Sequence, residues 1–472
     1  MTTASRSRMT IAWQIARLAG NTLFLVLARR ALSLAHFGYL TTAFSFGVVV
    51  LFLVTGGLDR LVAREAARNA ASGAALLVRS VVYQLFLFAA VAAAVPYIAR
   101  ILHLKPTETA LFYIVGAASL LMGVTFTLCG FQVGIDRFKN IVLTFVPTNI
   151  ILLAGAFVLF IFRAPVVAWG LLWLFSRFLM FGAALFLFLR TRNKPVTIRT
   201  GRFLIMALPM GLFYLSSVLL LQVDTLALRR AVGASTVGLY QEAFRLVIAG
   251  TFLLRPIELP FFPTLSVMDP RSLTYRRDWS NMTTLMLFVA TSVGAGLIAF
   301  RKPLLWLAFG HTDAAFVVVA LVGFLLMRSV CDCFAQFFII NGPLLLGAGV
   351  MFAGVAFSWF LTIRYASVLG PMAGAFASFL SHTMVATALA VSVLLIFRQH
   401  PFGVRLLPAI APAGGYIAAS NLMPQWLQIL LLPFALFASF ILLPSHGRRM
   451  LLEVVFIRRK RFAAGERAAD TA

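Results

Sequence analysis

Phe37-Gly38-Tyr39-Leu40-Thr41-Thr42-Ala43-Phe44 opens one long apolar segment of this chain, and Val237-Gly238-Leu239-Tyr240-Gln241-Glu242-Ala243-Phe244 opens another. Both read G-x-x-x-x-A-F, both follow an Arg-Arg pair by seven or eight residues, and they lie 200 residues apart. Gly, Ala and Phe are abundant here, so three matched positions alone carry little weight. Their place is what counts: they open the second and the eighth of the apolar spans read below. Six spans separate them. Because six is even, two six-helix halves insert with the same orientation, related by an axis along the membrane normal, and a substrate path runs between them.

The spans follow from composition. Of 472 residues, 61% are hydrophobic and 11% charged, and the mean hydropathy is +0.97. Soluble globular chains are about half apolar and a quarter charged, which excludes a water-soluble enzyme. A bilayer core of roughly 30 Å needs about 20 apolar residues. That window predicts spans at 10–29, 38–58, 77–98, 109–130, 141–162, 166–188, 203–223, 236–258, 282–300, 314–339, 344–363, 370–396, 403–420 and 427–444. The predicted fold class is an all-α polytopic membrane protein of about 14 transmembrane helices. Residues 1–200 form an N-terminal lobe, 201–398 a C-terminal lobe, and 399–472 two extra helices with a basic tail. The first span contains Gln14, Arg17 and Asn21 and lacks a small-residue cleavage site, so it reads as a helix rather than a cleaved signal.

Charge orients the chain. Lys and Arg number 40 against 14 Asp and Glu. In a soluble protein that excess suggests nucleic acid; here no solvated face exists to present it, and no nucleic-acid partner is expected. With both termini in the cytoplasm, 25 basic residues fall on the inner side, ten on outer loops and five within spans. That bias fits an even number of helices. Cys129, Cys331 and Cys333 cannot build a disulfide framework or a zinc site, and Cys331-x-Cys333 reads as helix packing. No Gly-Lys-Ser/Thr phosphate loop is present, and the scattered carboxylates suit neither a metal cage nor a glycosidase pair. Neither an enzyme nor a cofactor is expected.

The stretch Leu27-Ala28-Arg29-Arg30-Ala31-Leu32-Ser33 to Phe37-Gly38-Tyr39, then Gly56-Gly57-Leu58-Asp59-Arg60 and Arg64-Glu65-Ala66, resembles the polysaccharide-type lipid-linked oligosaccharide flippases. These include the Wzx-type O-antigen flippases, within the multidrug/oligosaccharidyl-lipid/polysaccharide exporter superfamily. Gln222-Val223-Asp224-Thr225-Leu226-Ala227-Leu228, Gly233, Val237-Gly238-Leu239-Tyr240 and Ala243-Phe244-Arg245 are similar to the family's seventh-to-eighth helix turn. The resemblance implies two six-helix lobes in a V, two further helices, and alternating access without ATP hydrolysis by the chain itself.

Polar side chains in hydrocarbon mark function or pairing. Gln14, Arg17 and Asn21 share one helix face. Arg17 has two readings, a cavity residue or a side chain snorkelling to headgroups. The eighth span carries Gln241, Glu242, Arg245, Arg255 and Glu258. Gln241, Arg245 and Arg255 fall on one arc, while Glu242 with Arg245 and Arg255 with Glu258 are i,i+3 pairs able to neutralise each other. Arg328 and Asp332 read as a self-pair one turn apart, Arg177 has no local carboxylate, and His382 reads as a packed histidine. Asp224, on a face with Tyr214 and Ser217, is either a structural contact or a site for a coupling cation.

Two transport functions follow. One is a flippase for a polyprenyl-diphosphate-linked glycan in the bacterial cytoplasmic membrane, working beside a polysaccharide polymerase or glycosyltransferase. The expected substrate contacts are Arg17 and Arg255 near the cytoplasmic mouth, with Arg245, Gln14, Asn21 and Gln241 along the path, and Asp224 or Glu242 for coupling. The alternative is a cation-coupled drug or metabolite exporter, which needs an unpaired buried carboxylate. A non-transporting assembly subunit also stays open.

Overall fold

The computed structural model describes residues 3–191, 200–251, 268–397 and 406–443, with single positions between 251 and 268, and side chains from Ala16 onward through most of these. The described chain is helical throughout its length. In order the helices are α1 Thr3–Ala31, α2 Leu34–Thr55, α3 Leu58–Arg68, α4 Ala70–Ile101, α5 Pro106–Gly134, α6 Phe138–Ile161, α7 Val166–Leu189 and α8 Thr200–Val232. Then come α9 Ala234–Thr251, α10 Leu273–Phe309, α11 Ala315–Asn341, α12 Leu344–Leu369, α13 Pro371–Phe397, α14 Leu406–Ala419 and α15 Gln425–Leu442. Helices dominate because a backbone in hydrocarbon must satisfy its own hydrogen bonds.

Among the described residues, eleven helical segments are long and apolar enough to cross a membrane, so the chain is a multi-pass membrane protein. As far as the described residues reach, every span expected from hydropathy falls on a helix. Three expected spans do not reach that length or apolarity among the described residues: 10–29 on α1, 236–258 on α9, and 403–420 on the short α14. Gly342 and Pro343 separate α11 from α12, between the spans expected at 314–339 and 344–363.

One helix lies outside the hydropathy reading. Gly56 and Gly57 both adopt left-handed backbone (φ +48° and +75°), which glycine reaches at little cost. They end α2 and start α3. On α3, Leu58, Val62 and Ala66 are buried at four-residue spacing, while Arg60 and Arg64 are exposed. Asn69 then caps α4, its side chain accepting from the Ala71 amide at 2.9 Å. Such a cap satisfies one of the free donors at a helix start.

The chain divides into two compact units. The first comprises Met1–Leu246, Arg301–Phe324 and Pro343–Val385. Its aromatic centre joins α1, α2 and α7: the Phe24 ring meets Trp169 at 5.6 Å and Phe44 at 6.0 Å, and Phe44 meets Trp173 at 4.8 Å. Hydroxyls along the helices bond back to the preceding turn, as Thr42 does to the Gly38 carbonyl (2.7 Å) and Ser119 to Val115 (2.8 Å). That is how polar residues are tolerated in an apolar surround.

Within this unit α2 and α9 touch reciprocally. A side chain at Gly38 would overlap the Ala234 carbonyl oxygen, and one at Gly238 would overlap the Leu34 carbonyl oxygen. The glycines of the sequence repeat are therefore the points where two backbones meet. Small residues serve this purpose because helices in lipid associate by close packing rather than by the hydrophobic effect. Ala43 and Ala243 are both fully buried, as are Phe44 and Phe244 nearly so.

The second unit comprises Val247–Phe300, Leu325–Gly342 and Ala386–Ala472. Within it Tyr275 and Trp279 stack against each other, and both rings meet the edge of Phe337. Arg328 pairs with Asp332 one turn on at 2.9 Å, as their spacing suggested. Cys331 and Cys333 are buried and form no disulfide among the described residues, consistent with helix packing.

Candidate functional site

The first unit holds a cavity of about 120 Å³ among α1, α2, α5, α7 and α9. Asn21, Ser119 and Arg245 supply its polar lining; Leu25, Phe44, Val48, Leu51, Val115, Met122 and Trp173 supply apolar walls, with Gly47 between. Arg245 is the charged residue in that lining, and no carboxylate is part of it. The Arg245 Nε is buried without a hydrogen-bond partner. A guanidinium is a fork of donors suited to carboxylate or phosphate oxygens. The arrangement can take an anion.

Asn21 and Arg245 are the two expected site residues that the structure brings to one cavity. Arg17, one turn before Asn21, lies with its guanidinium 5.7 Å from the centre of the Phe126 ring, within cation–π range. The side chain of Gln14 and the whole of Arg255 lie outside the described residues, as does Glu258. Gln241 points elsewhere: it is fully buried and donates to the Thr225 hydroxyl on α8 at 2.6 Å.

Glu242 does not pair with Arg245. Its carboxylate takes the Arg29 Nε, from 213 residues away, and lies 3.3 Å from the His311 Nε2. Arg29 sits at the end of α1, and its neighbour Arg30 donates to the Ala308 and Leu307 carbonyls at the end of α10. The second Arg-Arg pair behaves alike. Arg229 grips both oxygens of Glu108 at 2.7 and 2.6 Å, and Glu108 also accepts from the Lys105 amide at 2.9 Å. Two-pronged contacts of this kind are among the stronger ion pairs. The first arginine of each repeated pair is thus seated on a buried carboxylate, which counting it as a loop charge did not anticipate.

Asp224 is fully buried. Its Oδ2 accepts from the Tyr240 hydroxyl and from Ser378 Oγ (2.6 Å), and its Oδ1 from the Thr225 amide (2.7 Å). The face it shares in sequence with Tyr214 and Ser217 does not supply these partners; Tyr240 and Ser378 come from α9 and α13. No ion pair to Asp224 occurs among the described residues. His382 points its Nδ1 at the Ser378 carbonyl (2.8 Å) and packs on Phe324, as a packed histidine does. Among the described residues there is no cluster of His, Cys, Asp and Glu able to hold a metal ion.

Residues 10–268 match the family model described as polysaccharide biosynthesis protein. The chain belongs to that family. Comparison with curated protein sequences gives no match. Among solved structures, this polysaccharide biosynthesis protein is similar to the lipid II flippase MurJ in an inward closed conformation, at 14% identity and a TM-score of 0.64, covering 95% of this chain and 99% of that one. It is also similar to a multidrug resistance MATE family transporter of the MOP superfamily. In the inward-facing form the identity is 16% and the TM-score 0.58, over 80% and 95% of the two chains. In the outward-facing form the values are 15%, 0.57, 89% and 96%. At such identities the likeness shows the fold alone, shared with that flippase and that transporter.

Proposed function

We propose that this polysaccharide biosynthesis protein is a flippase. Its cargo is a polyprenyl-diphosphate-linked oligosaccharide repeat unit, which it moves from the cytoplasmic to the outer leaflet of a bacterial inner membrane for surface polysaccharide assembly. The observation that carries this reading is the cavity lining, with Arg245 as its charge and no carboxylate. Moving a diphosphate through a low-dielectric path requires cations along it, while the lipid tail stays in the membrane. A cationic-drug exporter needs the reverse polarity. Its candidate carboxylates do not line the cavity: Glu242 is held by Arg29 and His311, and Asp224 by the hydroxyls of Tyr240 and Ser378.

In this reading both termini are cytoplasmic, and two lobes, residues 1–200 and 201–398, alternate access around the path. The lobes are a division by repeat, distinct from the two compact units, which are a division by packing. The substrate contacts are Arg17 and Arg255 at the inner mouth, then Arg245 with Gln14 and Asn21; Gln241, bonded to Thr225 away from the cavity, is not among them. Asp224 is the better coupling residue than Glu242, because its partners are neutral. A polymerase or glycosyltransferase is the expected partner.

Deleting the gene in its host tests the reading. The deletion should accumulate lipid-linked repeat units inside the cell and abolish the surface polymer. Normal polymer export, in a strain without a redundant flippase, would refute it.

A further inference from the structure

Arg177, on α7, is fully buried. Its Nη2 donates to the Asn21 Oδ1 at 3.0 Å, its Nη1 reaches the Met180 sulfur at 3.8 Å, and its Nε has no partner. The guanidinium lies 3.9 Å from the centre of the Trp173 ring. No carboxylate pairs with it among the described residues. A buried charge without a counter-ion is costly and persists where it serves a ligand or a path. Asn21 and Trp173, the two residues Arg177 touches on this side, both line the cavity that holds Arg245.

The contact fixes which end of Asn21 faces the cavity. An amide has one acceptor oxygen and one nitrogen carrying two donors. Arg177 can only donate, so it claims the oxygen and leaves the nitrogen, which makes no hydrogen bond among the described residues, to donate into the cavity. The cavity's volume of about 120 Å³ is well below the roughly 300 Å³ at which drug-sized pockets begin. It suits a phosphate-sized group rather than a whole glycan.

We propose that Arg177 is the positioning residue of a phosphate seat: it holds Asn21 as a donor and adds a second positive charge behind it, opposite Arg245. The seat takes a phosphate-bearing lipid headgroup, which rests on the flippase reading for its identification as a lipid diphosphate. Three helices contribute: α1 the amide, α7 the hidden charge, α9 the one that lines the cavity. Asn21, Arg177 and Arg245 form one unit, so removing either charge weakens the same ligand.

The test is binding of polyprenyl diphosphate to the purified full chain in nanodiscs, with phosphatidylglycerol and inorganic diphosphate as separate probes. Arg177→Met should weaken polyprenyl diphosphate binding at least tenfold, and Arg177→Lys should recover part of it. Asn21→Asp should weaken binding as much while holding or raising the melting temperature, since it gives Arg177 a counter-ion and removes the donor. That combination separates the seat from a structural role, even if Arg177→Met folds poorly. Equal losses for phosphatidylglycerol support the seat and name ordinary headgroups as its source; loss for inorganic diphosphate as well shows that the phosphate alone is read. If the parent binds polyprenyl diphosphate and Asn21→Asp and Arg177→Lys bind it equally well, Arg177 is structural and the proposal fails while the flippase reading stands. If the parent binds no polyprenyl diphosphate, both fail.

Discussion

Glu242 shows how far a single side chain's role depends on the folded chain. In sequence its nearest cation is Arg245, three residues on, and helical spacing favours that pair. In the structure Arg29 and His311 hold it, and Arg245 faces the cavity instead. Helical periodicity reads neighbours within about a turn, so a partner 213 residues away is invisible to it. The usable hint was the Arg-Arg pair repeated at 29–30 and 229–230, because a repeated charge at a helix end implies a repeated partner. Removing one member of a buried pair leaves the other charge stranded, at a cost of about 3–5 kcal/mol. Glu242→Met is therefore expected to lower the thermal stability of the purified protein by that order. Arg29→Met combined with Glu242→Met should recover more than half of the loss, and a double-mutant cycle measures it. A similar calculation applies to Asp224, whose one oxygen receives two hydroxyl donors. Asp224→Asn sets a donor nitrogen against donors in one orientation or the other, and should destabilise by about 1–3 kcal/mol. If Asp224 couples transport, the same change abolishes repeat-unit translocation in cells that still insert the protein.

At the scale of elements, the apolar spans were legible because a bilayer imposes a length and a composition on any helix that crosses it. Helix α3 was not. Eleven residues with Arg60 and Arg64 on one face fall below a twenty-residue apolar window, and only a search at a period of 3.6 residues, seeking Leu58, Val62 and Ala66, would have found it. The G-x-x-x-x-A-F repeat was visible, but its physical purpose was not: a sequence shows that glycine recurs, not which backbone it approaches. Gly38 and Gly238 meet backbone carbonyls, which cannot move aside as a side chain tip can. Gly38→Ala and Gly238→Ala should each destabilise the protein by about 1–3 kcal/mol through overpacking. Gly349→Ala, where nothing lies within 4 Å, should be neutral or stabilise by up to about 1 kcal/mol, since alanine favours the helix. Melting temperatures of the three purified variants check this, and equal melting for all three would remove the crossing from the account.

For the whole molecule, membrane class and family follow from hydropathy and a few motifs, and the helical fold agrees with both. The cavity did not follow. Asn21 and Arg245 were singled out as polar residues in separate spans, yet nothing in their spacing said that they meet, and Arg177 stood aside because its spacing to other polar residues shows no pattern. Only packing of α1, α7 and α9 puts them around one space. The claim that unites these observations is that the space serves a lipid diphosphate, and leaflet exchange in proteoliposomes tests it most directly. A fluorescent polyprenyl-diphosphate-linked saccharide should become accessible to a membrane-impermeant quencher much faster with the parent protein than in protein-free vesicles. Arg245→Ala, inserted at equal density, should slow that exchange at least tenfold. Exchange no faster than in protein-free vesicles, or unchanged by Arg245→Ala, would contradict the account.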